Sequence, residues 1–538
     1  MHKIFISFLL IAMIICSWQA YAGVNVVGLF RDNMVLQRDM ELPVWGTAAA
    51  GEVVTVEFSN QKKSSAADAG GNWMVKLDPL KVFSEPQTMT VSSSGISQIT
   101  QSPNLQIKNI LIGEVWICSG QSNMAWDLKT LKKNNAPDAE NEIAGAKYPD
   151  IRFISISGSA EKRQPGIPSG SLQWRECSPE TAGDLSAVAY FFAKELRQKL
   201  NVPIGLIVTA QGGSPIRSWI SAETMNANPI FKKTLEDYKS LPERRKAYDA
   251  KRAAYEAGLA KSKADGTKPP PWIGSFEWDN SPGIYFYGRV YPLAPFAMRG
   301  VIWYQGENDA NNFENTSRAG LVGLANNSLT YKDFFPVMIE EWRSLWNRDF
   351  PFLYVQLHPD GGPQKDPVQD TESVSRFAST PSSWAEVRDA QRRTLKLKNT
   401  AMVVTTDICE ADLHPKKKVE VGKRLALAAR AIAYGESLVY SGPIFDKAEF
   451  KDGKVIISFT HNGGGLMVRD GKLKGFSVAG TDRKFVWADA EIKGDTVVVS
   501  SGQVPDPKAV RYAWAGNPIG NLYNKEGFPA SCFRTDEW

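Results

Sequence analysis

The stretch "NILIGEVWICSGQSNMAW", residues 109–126, decides the fold. Its first two-thirds form a near-continuous apolar run. A strand facing water on one side alternates apolar and polar residues; a continuous run marks a strand buried on both faces, the habit of parallel sheets covered by helices. The run ends in a polar turn, Ser119 to Asn123. Strand ends of this kind are where open α/β sheets build their sites. Ser122, in that turn, is therefore a candidate nucleophile. Taken alone, it reads as a helix N-cap, a position that Ser favours. "GQSNM" lacks the second glycine of G-x-S-x-G, because Met124 stands there, so an α/β-hydrolase nucleophile elbow does not fit.

The same texture recurs downstream. "VPIGLIVTAQGGS" (202–214), "MRGVIWYQGEND" (298–309) and "FPFLYVQLHP" (350–359) read as further buried strands running into polar or glycine-rich turns. Between and after them, residues 186–200, 383–397 and 416–435 carry the helical period. Strand and helix in alternation predict an α/β domain with a parallel sheet over residues 107–440. Residues 23–106 are short alternating runs broken by Gly, Asn and Asp, which predict a small β-sandwich. Residues 441–538 return to strand-like runs and form a β-rich C-terminal region. Residues 226–272 interrupt the α/β pattern with a charged, Ala-rich helical excursion that ends in "GTKPPPW" and reads as a solvated hairpin.

The chain has 538 residues and a formal net charge of +5, too mild for its size to argue for nucleic acid. Its one basic cluster is "HPKKK", with Lys416 to Lys418. The first 22 residues have a basic start, an apolar run and an "AYA" ending, so they read as a signal peptide cleaved after Ala22. No later stretch is long and apolar enough to cross a bilayer. The expectation is a periplasmic or secreted protein. Cys118, Cys177, Cys409 and Cys532 remain after cleavage; none forms a C-x-x-C pair, so no metal site is expected. Export permits disulfides, and spacing assigns none. Cys118, in an apolar run, reads as a free core thiol.

A serine hydrolase needs a base, a group orienting it, and donors for the oxyanion. His2 falls in the leader, which leaves His358, His414 and His461. His461 lies in a turn of the C-terminal β-region and reads as a loop residue. His358 follows a core strand and stays a candidate. His414 precedes a helical segment, has Asp412 two residues upstream and has Asp407 and Glu410 close by. A carboxylate beside a histidine orients the ring and stabilises the imidazolium, so His414 is the preferred base.

"GEVWICSGQSNM", "CSPETAGDLSAVAYFFAKEL", "VPIGLI", "MRGVIWYQGEND", "DLHPKKKVEVGKRLALAA" and the ending "YAWAGNP…NLYN…FRTD" together resemble the sialate O-acetylesterase family. That family sits among the SGNH hydrolases, and the likeness runs from about Leu29 to Asp536. The resemblance implies a flavodoxin-like α/β/α sandwich with a parallel sheet, flanked by β-sandwich regions. It implies Ser122 as nucleophile and His414 as base. It further implies an oxyanion hole from the Ser122 N–H, a backbone N–H of Gly212 or Gly213, and the side-chain amide of Gln305 or Asn308. No cofactor is implied, and the expected partner is an O-acetylated carbohydrate.

The sequence also departs from that pattern. The family's Asp three residues before the histidine is replaced by Ala411, with Asp412 at minus two. In an extended segment, residues two apart point the same way, which would let Asp412 reach the ring. Asp407 or Glu410, brought in by a turn, are the alternatives. Gln211 stands where a Trp is usual before the glycine pair, and Tyr287 where an Asn is common. Trp116 and Trp303 read as core. Trp126 and Trp219 stand between core packing and sugar stacking. Glu307 and Arg388 read as site or ion-pair residues, Arg388 rather as structural. The glycan is left open between O-acetylated sialic acid and an acetylated plant polysaccharide such as xylan or xyloglucan. The reading from another class is a non-catalytic carbohydrate-binding protein on an esterase scaffold.

Overall fold

The computed structural model describes residues 23–94, 104–160, 172–232, 235, 241–270, 281–310, 327–367 and 382–538. The expected leader, 1–22, lies outside them. Six strands carry the α/β region: β1 (Leu105–Gly120), β2 (Tyr148–Ser155), β3 (Ile204–Ala210), β4 (Gly300–Tyr304), β5 (Phe352–Val355) and β6 (Thr400–Val403). They are mutually parallel, in the order β2-β3-β1-β4-β5-β6. The short strand Arg175–Cys177 pairs antiparallel with β2.

Both faces of this sheet are covered, as the unbroken apolar runs require. On β1, Trp116 and Cys118 point to one face, where Val188 and Phe192 of α2 (Ala187–Leu200) and Leu425 and Ala428 of α5 (Lys418–Tyr434) join them. Val115 and Ile117 point to the other face, with Phe335 and Ile339 of α3 (Asn327–Trp346) and Val387 of α4 (Ser383–Thr394). The strand's period of two thus feeds two cores at once.

β1 is 16 residues long and belongs to two regions. Its first half pairs antiparallel with Phe83–Ser94 and parallel with Val35–Gln37, and Val53–Phe58 and Gln61–Ala66 extend that sheet. Its second half is the centre of the α/β sheet. The expected boundary at 106/107 therefore falls inside one strand. A separate small sheet, Asn25–Val26, Leu42–Thr47 and Asn72–Leu77, shares its core with it through Val44, Trp73 and Val75.

The C-terminal region folds into small antiparallel sheets around Val455, Ile457, Val497, Tyr512 and Phe533. Arg388 of α4 ties it to the core. The buried guanidinium donates to the carbonyls of Ala515 and Gly516, which is a structural task. Part of the excursion is the helix Leu241–Asp265; residues 271–280 lie outside the description. All four described cysteines are free. Among the described residues no helix is long and apolar enough to cross a membrane.

Candidate active site

The turns that follow β1, β3 and β4 converge at one end of the sheet. Gly120 closes β1 with φ +136, and a Cβ there would lie 2.1 Å from the Tyr304 carbonyl oxygen. Only glycine lets β1 and β4 approach so closely before the chain turns. Gln121 is the cap of the short helix α1 (Ser122–Ala125), in extended backbone. Ser122 is thus the first helical residue and not the cap. Its Oγ lies 2.8 Å from Nε2 of His414.

His414 sits in the loop between β6 and α5. The indole of Trp126 stacks on its imidazole, centroids 4.5 Å apart and planes 18° from parallel. Trp126 therefore supports the base with the face that would otherwise stack on a sugar. Asp412 does reach His414, but through the main chain: its Oδ1 accepts from the His414 backbone N–H at 2.9 Å. This is the Asx-type turn that short acidic side chains favour, and it replaces the extended segment expected here. Neither alternative carboxylate reaches the ring. Asp407 is paired with Arg424 at 2.7 and 2.8 Å, and Glu410 accepts from the Lys416 N–H. Burial, and next the charge of Lys418, push the His414 pKa down to about 4 against the opposing pull of Asp412. The imidazole is neutral at pH 7, the state a general base needs.

The other histidines sit elsewhere. His358 is fully buried; its Nδ1 lies 3.0 Å from the Tyr304 hydroxyl and 3.9 Å from Glu307. His461 meets Tyr440 in the C-terminal region.

Opposite the histidine, the glycine turn after β3 borders the serine. A Cβ on Gly212 would lie 3.7 Å from the Ser122 Cβ, and Gly213 has φ +71. Asn308 donates from Nδ2 to the Gly213 carbonyl at 2.7 Å, which leaves its second amide hydrogen uncommitted by that bond. Gln305 is different. Its amide donates to the Ser214 carbonyl at 3.1 Å and to Asp309, and its oxygen accepts from the Tyr331 hydroxyl. Of the two amide candidates, Asn308 flanks the glycine turn and Gln305 is consumed inside the fold.

Further residues organise the site, and two of them, Arg289 and Asn123, carried no sequence signal of their own. Arg289, buried in the short turn Phe286–Val290, donates to the carbonyls of Ala210 at 2.7 Å and Gly158 at 2.8 Å and to the side chain of Gln211. It clamps the glycine turn from beneath. Trp219 is fully buried and donates to the Ser214 hydroxyl, so it braces that turn and offers no sugar platform. Tyr287 is buried too; its hydroxyl donates to Glu223 and accepts from the Ala222 N–H. Trp116 and Trp303 are core residues. Asn123, next to the nucleophile, donates to Glu307 and to the Leu413 carbonyl and accepts from Lys418. Among the described residues no cluster of three or more His, Cys, Asp or Glu side chains is arranged to hold a metal.

Residues 112–247 and 277–431 match the family described as carbohydrate esterase, sialic acid-specific acetylesterase. The sialate O-acetylesterase of Homo sapiens is 28% identical over 532 residues, which is 92% of this chain and 88% of that protein. That of Mus musculus is 28% identical over 539 residues, covering 93% and 91%. The crystal structure of a carbohydrate acetylesterase from Xanthomonas citri is similar over 96% of this chain and 100% of that one, with a TM-score of 0.75 and 33% identity. The chain belongs to the sialic acid-specific acetylesterase family of carbohydrate esterases, and it is a sialate O-acetylesterase-like carboxylic ester hydrolase.

Proposed function

We propose that the protein removes acetyl groups from sugar hydroxyls through an acetyl-enzyme on Ser122. The 2.8 Å bond between Ser122 Oγ and His414 Nε2 carries this reading. In the first half-reaction His414 takes the Ser122 proton as Oγ attacks the acetyl carbonyl carbon. The oxyanion gathers the N–H groups of Ser122 and of Gly212 or Gly213 and the free hydrogen of the Asn308 amide. As the intermediate collapses, His414 returns the proton to the departing sugar oxygen. Water then attacks the acetyl-enzyme with His414 again as base, and acetate leaves. Asp412 holds the His414 loop in its turn, and its charge favours the imidazolium that forms in each step.

The strand order supports an SGNH assignment. With β2 set aside as an edge addition, the remaining strands run β3-β1-β4-β5-β6, the flavodoxin-like order, with the crevice where the order reverses beside β1. The substrate read from the family is an O-acetylated sialic acid, and the reading places the protein outside the cytoplasm by way of residues 1–22. A binding protein without activity has no use for a serine poised on a neutral histidine.

Acetate release from O-acetylated sialosides, acetylated xylan and acetylated xyloglucan tests both levels. Ser122→Ala and His414→Ala should each cut the rate by several orders of magnitude, and His358→Gln should keep it within a few-fold. Release from the plant polymers alone would replace the sialate reading. Undiminished release by Ser122→Ala would end the acetyl-enzyme reading.

A further inference from the structure

The basic run "HPKKK" is not a uniform surface patch. Lys416 and Lys417 are exposed, whereas Lys418 is 1% exposed. It is the first residue of α5, where the helix dipole already presents positive partial charge. A cation placed there loses its hydration and opposes the dipole. A buried charge pair contributes little net stability in return, so folding alone gives a weak reason for this lysine.

Its contacts give a stronger one. Lys418 Nζ donates to Asn123 Oδ1 and lies 5.2 Å from the centre of the Tyr304 ring. With its oxygen held, the Asn123 amide has one orientation. Its nitrogen then donates to Glu307 on one side and, at 3.0 Å, to the Leu413 carbonyl on the other. Asn123 follows the nucleophile, Leu413 precedes the base, and Glu307 opens the short helix Glu307–Ala310 after β4. One amide thus joins three of the four loops that make the site, all but the glycine turn after β3. Nothing else described links the residue beside Ser122 to the residue beside His414 in this way.

We infer that Lys418, acting through Asn123 and with Glu307 as counter-charge, is a positioning residue that sets the Ser122–His414 geometry. The inference rests on the Ser122–His414 reading of the site. The Lys418 charge is also felt by the base. Lys418 and Asp412 act on His414 with opposite sign, and His358 faces it from the β5 side. Lys418 in turn is flanked by Cys409, Glu307, Glu410 and Asp412.

The test compares Lys418→Met, Glu307→Gln with Lys418→Met, and Ser122→Ala on a small acetate ester, with kcat, KM, the pH profile of kcat/KM and Tm for each. Misplacing a catalytic pair by a fraction of an ångström to 1 Å costs up to ~100-fold, so Lys418→Met should lose about 10- to 100-fold in kcat at nearly constant KM. Its acid limb should move to higher pH, because one charge that disfavours the imidazolium has gone. The double variant removes the unpaired carboxylate. It should recover Tm and keep both the low kcat and the shifted limb. A purely structural lysine would move the limb as well, because its charge acts on His414 through space, but its kcat would return with Tm in the double variant. That return overturns the inference, as does wild-type kcat in Lys418→Met. Activity retained by Ser122→Ala is a separate outcome and overturns the nucleophile reading instead.

Discussion

The pH at which the enzyme loses its base is the sharpest consequence of the site's electrostatics. Burial of the His414 ring, and then the nearby Lys418 charge, hold its pKa at about 4 where an ordinary histidine has 6.5. At pH 5 an imidazole of pKa 4 is about 90% neutral, whereas one of pKa 6.5 is about 3% neutral, a difference of ~30-fold in competent base. The perturbation is therefore acid. Initial rates of 4-nitrophenyl acetate hydrolysis, read continuously at the isosbestic wavelength of 4-nitrophenol and its phenolate so that the signal is independent of pH, should be followed from pH 3.5 to 8 at fixed ionic strength. The acid limb of kcat/KM reports the free enzyme and should have its midpoint near pH 4, with activity at pH 5 close to that at pH 7. The same shift appears in stability. Between pH 6.5 and 4 the unfolded chain binds a proton that the folded His414 refuses, so this histidine's contribution is present above pH 6.5 and is lost as the pH falls through that window. A midpoint near 6.5 would show that the ring is solvated and that the electrostatic picture of the site is wrong.

Two further substitutions separate roles that sequence could not. Asn308→Ala should lower kcat by ~100- to 1,000-fold, the usual cost of one oxyanion donor, with little change in Tm; Gln305→Ala should chiefly lower Tm, because its amide serves Ser214, Asp309 and Tyr331. Gly120→Ala should lower both Tm and activity, since its Cβ would meet the Tyr304 carbonyl at 2.1 Å in a backbone conformation L residues avoid; thermal melts and ester turnover on the same preparation check it, and a fully active, stable variant would contradict the packing of β1 on β4.

The α/β layers were legible because both-face burial writes itself into runs such as "ILIGEVWIC", and because the sheet puts its functional turns after those runs. The change of texture near residue 106 was real, but it marked a change of surroundings and not an end of the strand. β1 is patchily exposed from Leu105 to Asn109 and buried throughout from Ile110. Asp412 misled because alternation in a strand says nothing about a side chain that bonds its own main chain two residues on. Lys418 was hidden by its exposed neighbours, although the helical phase held the signal: with Val421, Gly422 and Leu425 it completes the buried stripe of α5. Arg388 sits on the stripe of α4 in the same manner, beside Trp384, Val387 and Gln391. Asn123 and Arg289 could not be found this way. Their partners lie in other elements, as far off along the chain as Lys418 for one and Gly158 for the other, and only the fold brings them together.

The length of β1 bears on how such a protein can be inherited and rebuilt. A recombination crossover at residue 106 would cut this strand near its start and part almost all of it from the pairing edges of Val35–Gln37 and Phe83–Ser94, leaving the kind of edge that invites aggregation. The N-terminal strands and the nucleophile must therefore travel as one genetic unit. Residues 435–440, between α5 and the C-terminal sheets, lie outside any strand, and a seam there cuts no sheet. Lineages and engineers can exchange the C-terminal sheets only for ones that offer Arg388 the carbonyls that Ala515 and Gly516 supply, and are bound to keep the N-terminal strands with the nucleophile they support.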